Sequence, residues 1–305
     1  MPQRFRLIPH THIDHKKWDR CVNHSSWPSL FAQSFYLNAV APGWEALVKG
    51  DYETVFPITK KRKFGYTYLP HPPFTGQLGL FGKFNKDTEK EVLEYLQTHF
   101  RLIEIELNCK QTLDLSGCSE KCTHVIQYSS PFNYNENTKR NIKRALKLGL
   151  EVEVIEDKSL LSLSKKYLDP FICETLHIDN YGLRRFHELL KAALHHKQIK
   201  TYCTKTPKGD LLALAHFIYN KHQVVYLKGT NFDKEANSGS MHLLMSQAIE
   251  DFKEKASIFD FSGGSLPNIA RFFKGLGGEP LCYPVLKYNN LPGFIKLLKG
   301  KSLSS

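Results

Sequence analysis

The stretch FDFSGGSLPNIARFFKGLGG, residues 259–278, decides the fold prediction for this chain. Successive side chains of a strand point to opposite faces, so the two phenylalanines of FDF share one face and Asp260 lies on the other. The glycine pair that follows allows a sharp turn, and Pro267 suits the first turn of a helix. The stretch therefore predicts a short strand, a glycine turn and a helix.

This helix brings charged side chains close to the strand. Ile269, Phe272 and Phe273 recur at helical spacing, which predicts that they pack on a sheet and leaves Arg271 and Lys274 near the far end. The strand would then hold the Asp260 carboxylate, and the helix the Lys274 side chain, in fixed orientations. An ordinary strand and helix with a solvated lysine is the alternative interpretation.

This succession of elements resembles the C-terminal domain of the FemAB group, which has a strand reading FDF, a glycine turn and then a helix ending in FKxxFG. These are aminoacyl transferases that build peptidoglycan cross-bridges, and they have broader GNAT-fold relatives. Leu276 stands here in place of the last aromatic residue of that pattern. The resemblance implies a mixed α/β fold of two tandem GNAT-like domains, each with a mixed, mostly antiparallel sheet flanked by helices.

The order of predicted elements repeats along the chain, which agrees with a tandem fold. A hairpin with a Gly50-Asp51 turn and a second with a Gly209-Asp210 turn are each followed by a helix and a strand. We therefore predict an N-terminal domain over residues 1–125 and a C-terminal domain over residues 126–305. Residues 103–117, the counterpart of the FDF stretch in the first half, lack the FDF wording and the lysine of an FKxxFG-like motif, so the site is expected in the second domain.

Composition supports a globular protein that attracts anions. The chain has 305 residues, of which 41% are hydrophobic and 12% aromatic, enough to fill two cores. Its net charge of +12 favours nucleic acid, coenzyme A or anionic lipid head groups without choosing among them. Basic residues cluster at residues 60–63, 139–147 and 296–301.

Cysteine usage and hydropathy predict a cytoplasmic protein without a membrane span. The 7 cysteines are odd in number and irregularly spaced, which favours free thiols in a reducing compartment. No run approaches the ~20 apolar residues that cross a bilayer, and the N-terminus lacks the apolar core of a signal peptide. Cys118, Cys122 and His124 have no second pair to complete a zinc site, so no metal is expected.

Residues 133–150 read as a capped basic helix. Asn135 or Asn137 can cap it and Gly149 can end it. Its apolar stripe is predicted to hold Ile142, Ala145, Leu146 and Leu148, and its other face Lys139, Arg140, Lys143, Arg144 and Lys147. By resemblance to the helix that opens the second half of Fem-type proteins, this face would meet phosphates of the donor or acceptor. A helix whose lysines only keep it soluble is the alternative.

A second anion site is predicted at a helix N-terminus. In GNAT folds the pyrophosphate of coenzyme A lies on backbone amides after the fourth strand, where unpaired amides and the helix dipole favour an anion. The matching residues are Ser238, Gly239 and Ser240, although the usual glycine-rich pattern is reduced to one glycine. In the first domain, Asp87 and Glu89 favour self-capping, so no cofactor is expected there.

Acyl transfer to an amine needs a base, stabilisation of an oxyanion and a proton for the leaving group. We assign Lys274 to the oxyanion or the donor phosphate. Asp260 is assigned as the base or as the group that orients the amine, and Tyr226 or Tyr283 as the proton donor to the leaving group. Both tyrosines have packing as an alternative role. Asp260 has capping of the turn at residues 262–265 as its alternative.

The sequence thus predicts a bacterial-type N-acyltransferase of GNAT/FemAB-like type. The donor would be a coenzyme A thioester or an aminoacyl-tRNA, and the acceptor an amine-bearing small molecule or peptide. No long helical arm of the kind found in many tRNA-binding Fem enzymes is present, which favours a relative with another substrate. A degenerate GNAT scaffold that binds polyanions is the competing hypothesis, and tandem domains are compatible with a monomer.

Overall fold

The computed structural model describes residues 4–63, 65–111, 119–232 and 237–292. The chain divides into two compact units, of which the first takes Met1–Trp27, Ala41–Lys121 and Tyr283–Ser305, and the second takes Pro28–Val40 and Cys122–Cys282. A contiguous split after residue 125 differs from this division in two long segments and in residues 122–125, which belong to the second unit. Pro28–Val40 belongs to the second unit because its helix packs there, and the chain from Tyr283 belongs to the first because its strand pairs there.

The first unit combines short strands with amphipathic helices. Its strands are β1 (Arg6–Ile8), β2 (Glu45–Lys49), β3 (Thr54–Ile58), β4 (Lys61–Lys63), β5 (Tyr66–Pro70), β6 (Phe81–Gly82) and β7 (Leu102–Glu106), and its helices are α1 (His15–Asn23) and α3 (Lys86–His99). One sheet has the order β1-β2-β3-β6, and a second run joins β4, β5 and β7. The predicted Gly50-Asp51 hairpin is confirmed as β2 and β3, paired antiparallel from Glu45 opposite Ile58.

The second unit contains a mixed sheet with helices on both faces. Its helices are α2 (Ser34–Val40), α4 (Glu136–Lys147), α5 (Ser159–Leu163), α6 (Asp169–Glu174), α7 (Asn180–His195), α8 (Ser240–Phe252) and α9 (Pro267–Gly275). Its strands are β9 (Glu151–Ile155), β10 (Ile199–Lys205), β11 (Leu211–Tyr219), β12 (Gln223–Asn231) and β13 (Ile258–Asp260). Two further strands, β8 (Ser119–Gln127) and β14 (Glu279–Asn289), contribute residues to both units. A π-helical turn, Ser164–Leu168, joins α5 to α6.

The strand order in the second unit is β8-β13-β12-β11-β10-β9. Neighbouring strands run antiparallel except β12 and β13, which are parallel. This arrangement agrees with the mixed, mostly antiparallel sheet expected from the sequence. Parallel neighbours need a crossover connection, and here α8 supplies it.

Aromatic side chains fill the face of this sheet that α8 and α9 cover. Phe259 and Phe261 are both buried there, and Phe261 stacks on Phe273 with ring centroids 4.6 Å apart. Phe217 and Phe252 complete the cluster. The two phenylalanines of FDF therefore share the core face, as their alternation predicts.

Local signals set the ends of the basic helix as the sequence predicted. The Asn135 side chain accepts a hydrogen bond from the Thr138 backbone N–H at 2.8 Å, which satisfies one free amide at the N-terminus. Gly149 follows the helix with a φ of 68°, a left-handed conformation that favours glycine. Asn85 caps α3 in the same way through Thr88.

Three apolar residues do not pack as predicted. Leu146 and Leu148 are 59% and 53% exposed, and Ile269 is 37% exposed, whereas Ala145 and Phe273 are buried. The buried stripe of α4 is narrower than the periodicity suggested, because only Ala145 and part of Ile142 reach the neighbouring core. The predicted burial of Leu146, Leu148 and Ile269 is therefore wrong.

The prediction of free thiols is wrong for one pair of cysteines. Cys122 on β8 and Cys282 on β14 form a disulfide across a sequence separation of 160 residues. Their Cα atoms are 4.0 Å apart because the two strands are neighbours, and the spacing of cysteines along the sequence cannot report that. Cys118 and the basic cluster at residues 296–301 lie outside the described residues.

A helix that crosses a bilayer needs about 20 predominantly apolar residues. No helix within the four described ranges is both long enough and apolar enough to cross a membrane.

Candidate functional site

The parallel strands β12 and β13 separate at the centre of the second unit. Their pairing covers Gln223–Ile258, Val224–Phe259 and Val225–Asp260, where β13 ends. Strand β12 continues to Asn231 without its parallel partner. The sheet is therefore open beside β12 from Tyr226 onward.

A β-bulge lies in β12 at this opening. Phe217 of β11 pairs with Tyr226, and the adjacent His216 pairs with Lys228, so Leu227 is the extra residue. Residues directly opposite each other on antiparallel strands share a face. Tyr226 therefore lies on the face of Phe217, and Lys228 lies on the opposite face with His216.

Tyr226 faces the aromatic core below α9. Its ring lies 5.6 Å from Phe217 and 6.1 Å from Phe273, measured between centroids, and burial raises the pKa of its phenol. A Cβ at Gly229 would lie 2.7 Å from the Tyr226 hydroxyl oxygen, so glycine leaves room for that group. The phenol is thus a protonated donor at the opening.

Lys228 is partly buried on the other face. Burial lowers the pKa of its ammonium, and among the described residues no carboxylate lies within 4.0 Å of it. The opposing His216 is fully buried, and its Nδ1 lies 2.7 Å from the Thr201 hydroxyl. Burial lowers the pKa of His216 to about 3, so this ring is neutral near pH 7. Sequence reasoning missed Lys228, although a lysine inside an otherwise apolar strand was a usable signal.

Asp260 is held by hydrogen bonds on both of its carboxylate oxygens. One oxygen accepts from the Thr123 hydroxyl and the Ser262 backbone N–H, each at 2.7 Å, and the other accepts from Gln223 Nε2 at 2.9 Å. Only 3% of the residue is exposed. Burial raises the pKa of this carboxyl, and the hydrogen bonds oppose that rise. The Ser262 contact confirms the predicted capping of the glycine turn.

Strand β8 supports the same turn from the side. The Gly263 N–H donates to the Thr123 hydroxyl at 3.1 Å, and His124 lies against Gly264. Gly264 has a φ of 120°, and a Cβ there would overlap the His124 ring. Gly264 is therefore required by both backbone conformation and space. Sequence reasoning could not pair this turn with Thr123 and His124.

Lys274 lies at the exposed C-terminal end of α9 and lines a pocket of about 520 Å³. The other walls are Gly277 and residues 125–127, 130–133 and 279–281. Neither Tyr226 nor Asp260 lines this pocket. The structure thus separates Lys274, which faces the pocket, from the residues at the strand opening.

The N-terminus of α8 is closely covered. Gly239 adopts a left-handed φ of 79°, and a Cβ there would overlap the backbone of Asn141 on α4. The Ser240 N–H donates to the Ser238 hydroxyl at 3.2 Å, and the Ser240 hydroxyl bonds to Asn231 at 3.1 Å. The loop residues 233–236 lie outside the described part of the chain. The predicted residues 238–240 thus lie at the start of α8, with the backbone of Asn141 on α4 packed against Gly239.

The basic face of α4 is exposed along its length. Lys139 pairs with Glu136 at 2.8 Å, Arg140 bonds to Asn137 at 2.9 Å, and Arg144 reaches Asn237 at 2.7 Å. The backbone N–H of Asn135, just before α4, donates to the Gly275 carbonyl at 2.9 Å, which fixes this end of α4 beside α9. Lys139 and Arg140 lie about one turn of α4 beyond Asn135, and Asn135 contacts the C-terminal end of α9, where Lys274 is.

Tyr283 belongs to the first unit. Its hydroxyl donates to Glu106 at 2.9 Å, and Glu106 also pairs with Lys121 at 2.5 Å. This hydroxyl already has an acceptor within the first unit. The first unit also has a pocket of about 450 Å³ around Lys17, which is ion-paired with Asp51 at 2.7 Å.

Comparison with known proteins identifies the fold. No family model matches the sequence, and no curated protein matches it significantly. The crystal structure of FemX is similar at a TM-score of 0.69 and 14% identity, over 92% of this chain and 96% of that one. The C-terminal domain of a lysylphosphatidylglycerol synthetase from Agrobacterium fabrum is similar at 0.59 and 11%, over 90% and 92%. The structure of L-PGS from Bacillus licheniformis is similar at 0.57 and 10%, over 93% and 95%.

These similarities extend over nearly the whole chain rather than over one unit. The chain has the tandem GNAT/FemAB-like fold that the sequence resemblance implied. The mixed α/β class is likewise confirmed. At 10–14% identity these similarities show the fold and not the reaction.

Proposed function

We propose that this chain is an N-acyltransferase that moves an acyl or aminoacyl group from an activated donor to an amine acceptor. The observation that carries the proposal is the opening beside β12, where Tyr226 and Lys228 lie on opposite faces of one strand. Two reactants that approach from opposite faces could meet there, each beside a group that can exchange a proton. The FemAB-like fold supports this reaction class.

The proton transfers can be assigned from the two faces. The acceptor amine gives its proton to neutral Lys228 Nζ as its nitrogen bonds to the donor carbonyl carbon, because burial increases the neutral fraction of this lysine. The tetrahedral intermediate then collapses and the bond to the leaving oxygen or sulfur breaks. Tyr226 supplies the proton that this leaving group takes, and solvent restores both side chains. The products are an amide and the free carrier of the donor.

Asp260 receives a positioning role in this proposal rather than the role of base. Both of its oxygens accept hydrogen bonds, and the acid is almost completely buried. A carboxylate held in this way fixes the glycine turn that leads into α9, and it thereby fixes Lys274. Asp260 would therefore act through the geometry of Lys274.

Lys274 would bind the anionic part of the donor in its pocket. The pocket is large enough for a nucleotide-sized group at about 520 Å³, and Lys139 and Arg140 lie on the adjoining helix. A lysine binds phosphate as a point charge, which suits a donor of variable orientation.

We favour an aminoacyl-tRNA over coenzyme A as the donor. Asn141 packs against Gly239, and the Ser240 amide donates to the Ser238 hydroxyl, so the protein itself contacts residues that were expected to hold a pyrophosphate. One similar structure is named as a lysylphosphatidylglycerol synthetase, which agrees with an aminoacyl group as the group that is transferred. The acceptor proposed here is an amine-bearing small molecule or peptide.

Thermal shift with defined donors tests this choice. We expect aminoacyl-tRNA to raise the melting temperature, since a ligand at 100 times its Kd adds about 2.7 kcal/mol of stability. Coenzyme A and acetyl-CoA at the same occupancy range should have no effect. Stabilisation by acetyl-CoA alone would replace the aminoacyl donor with an acyl-CoA. Equal stabilisation by heparin and tRNA, without donor consumption, would support the polyanion-binding scaffold instead.

A further inference from the structure

The C-terminal end of α4 carries apolar side chains in solvent. Leu146 and Leu148 are 59% and 53% exposed, and they lie in and directly after the last turn of a helix whose outer face is otherwise strongly polar. Isolated exposed leucines are common, but two at one helix end form a local apolar surface. We call Lys143, Leu146, Lys147 and Leu148 the α4 tip.

The two lysines of the α4 tip are exposed and unpaired. Among the described residues, no carboxylate lies within ion-pair distance of Lys143 or Lys147. They are four residues apart on one helix face, so their charges repel each other. The other end of the helix differs, because Lys139 is neutralised by Glu136 at 2.8 Å. Positive charge and exposed apolar surface therefore coincide at the tip.

The tip is carried by a fixed helix. Ala145 is fully buried between its exposed neighbours, and the backbone of Asn141 lies directly against Gly239 at the start of α8. The Leu148 N–H donates to the Arg144 carbonyl at 3.0 Å, which holds the last turn. The leucines are consequently presented by a rigid element rather than by a loose loop.

We propose that the α4 tip is a docking surface for an anionic lipid bilayer. Basic side chains that flank exposed leucines on an amphipathic helix are the pattern of interfacial binding, in which lysines meet lipid phosphates and apolar residues enter the acyl boundary. The lysines gain counter-charges there, and the leucines leave water. This surface is independent of the transfer reaction proposed above.

Two other occupants fit the tip less well. A nucleic acid would neutralise Lys143 and Lys147 but leave both leucines in water, and the tip has no aromatic side chain on which bases could stack. A second copy of the chain joined through the same tip would bring these lysines against their symmetry mates. Charge complementarity thus favours the bilayer.

Vesicle co-sedimentation tests the proposal with the full chain. We expect binding to vesicles of phosphatidylglycerol and phosphatidylcholine, and little binding to phosphatidylcholine alone. Each lysine near an anionic surface is worth about fivefold in partitioning, so Lys143→Ala with Lys147→Ala should weaken binding roughly 25-fold. Leu146→Ser with Leu148→Ser should weaken it by about tenfold or more, because both apolar side chains are lost.

Matched control variants distinguish binding through the α4 tip from a general effect of surface charge or of exposed apolar residues. Leu266→Ser removes another leucine, 63% exposed, and Lys253→Ala with Lys255→Ala removes two other exposed lysines. Both control variants should bind vesicles nearly as the natural chain does. Circular dichroism and melting curves check that every variant is folded.

Three results would overturn the proposal. The first is natural-chain binding that is equal for charged and neutral vesicles, or absent from both. The second is a leucine variant that still binds while tRNA displaces the natural chain, which would assign the lysines to RNA. The third is a dimer in sedimentation velocity that the leucine substitutions dissociate, which would assign the tip to self-association.

Discussion

Tyr226 and Lys228 are two residues apart on one strand, yet they lie on opposite faces of the sheet. A regular strand would put them on the same face. Leu227 prevents this because it is the extra residue of a β-bulge, with Tyr226 opposite Phe217 and Lys228 opposite His216. The strand therefore offers a phenol to one side of the opening and an amine to the other.

Replacing Lys228 with methionine should stabilise the fold. Burial lowers the pKa of this lysine below 10.5, so the unfolded chain binds the proton more tightly than the folded chain does. The free-energy cost of burying this titratable amine therefore lowers stability at neutral pH. Methionine fills a similar volume without a charge. We expect the free energy of unfolding in urea at pH 7 to rise on the order of 1 kcal/mol. The gain should shrink as the pH approaches 10.5. A loss of stability would mean that the ammonium has favourable partners.

The bulge also marks a limit of sequence-based prediction. Alternation correctly put Phe259 and Phe261 on the core face and Asp260 on the other, because β13 is regular. The same rule cannot locate an extra residue, since nothing in VVYLKG identifies Leu227 as unpaired. The sequence therefore cannot report the face on which Lys228 lies.

Long-range contacts account for the other differences. The hairpins, the cap at Asn135 and the end at Gly149 depend on neighbouring residues, and the sequence predicted them. The Thr123–Asp260 hydrogen bond joins residues 137 positions apart, so no local pattern reports it. The exposure of Leu146 is also tertiary, because it depends on which elements cover α4.

Acid should destabilise the protein through His216. Burial lowers the pKa of its ring from 6.5 to about 3, so between these values the unfolded state binds more protons than the folded state. The contribution of neutral His216 to stability is then fully present above pH 6.5 and is lost as the pH falls toward 3. Between pH 6.5 and pH 5 the loss attributable to His216 should be about 2 kcal/mol.

Urea titrations at pH 7 and pH 5 measure this contribution. The variant His216→Leu cannot take up the proton, so its unfolding free energy should fall less than that of the natural chain. Equal losses for both proteins would show that another group controls the acid response.

Gly239 should tolerate alanine much less well than Gly209. Both glycines have positive φ values, 79° and 89°, and alanine there costs about 1–2 kcal/mol for backbone conformation alone. A Cβ at Gly209 meets no atom within 4 Å, whereas one at Gly239 overlaps Asn141. We expect Gly239→Ala to lower the urea unfolding free energy by about 2 kcal/mol more than Gly209→Ala. Similar losses would contradict the close packing of α4 on α8.

The Cys122–Cys282 bond should stabilise the purified protein. It closes a loop of 160 residues, and disulfides of this kind typically add about 2–4 kcal/mol by restricting the unfolded chain. Cys122→Ser with Cys282→Ser should lower the unfolding free energy by that amount, and dithiothreitol should then have no further effect. Mass spectrometry without reductant checks whether these two cysteines are linked. Two free thiols in the folded natural chain would rule the bond out.

Transfer of a labelled group from donor to amine tests the central claim most directly. We would incubate the natural chain, Lys274→Ala and the surface control Lys253→Ala with labelled aminoacyl-tRNA or acetyl-CoA and a panel of amines and peptides, and follow new amides by mass spectrometry. Lys274→Ala should lose at least tenfold in kcat/KM while its melting temperature is unchanged, and Lys253→Ala should retain full activity. Turnover by Lys274→Ala equal to that of the natural chain, or no amide from either donor with any acceptor, would contradict the account.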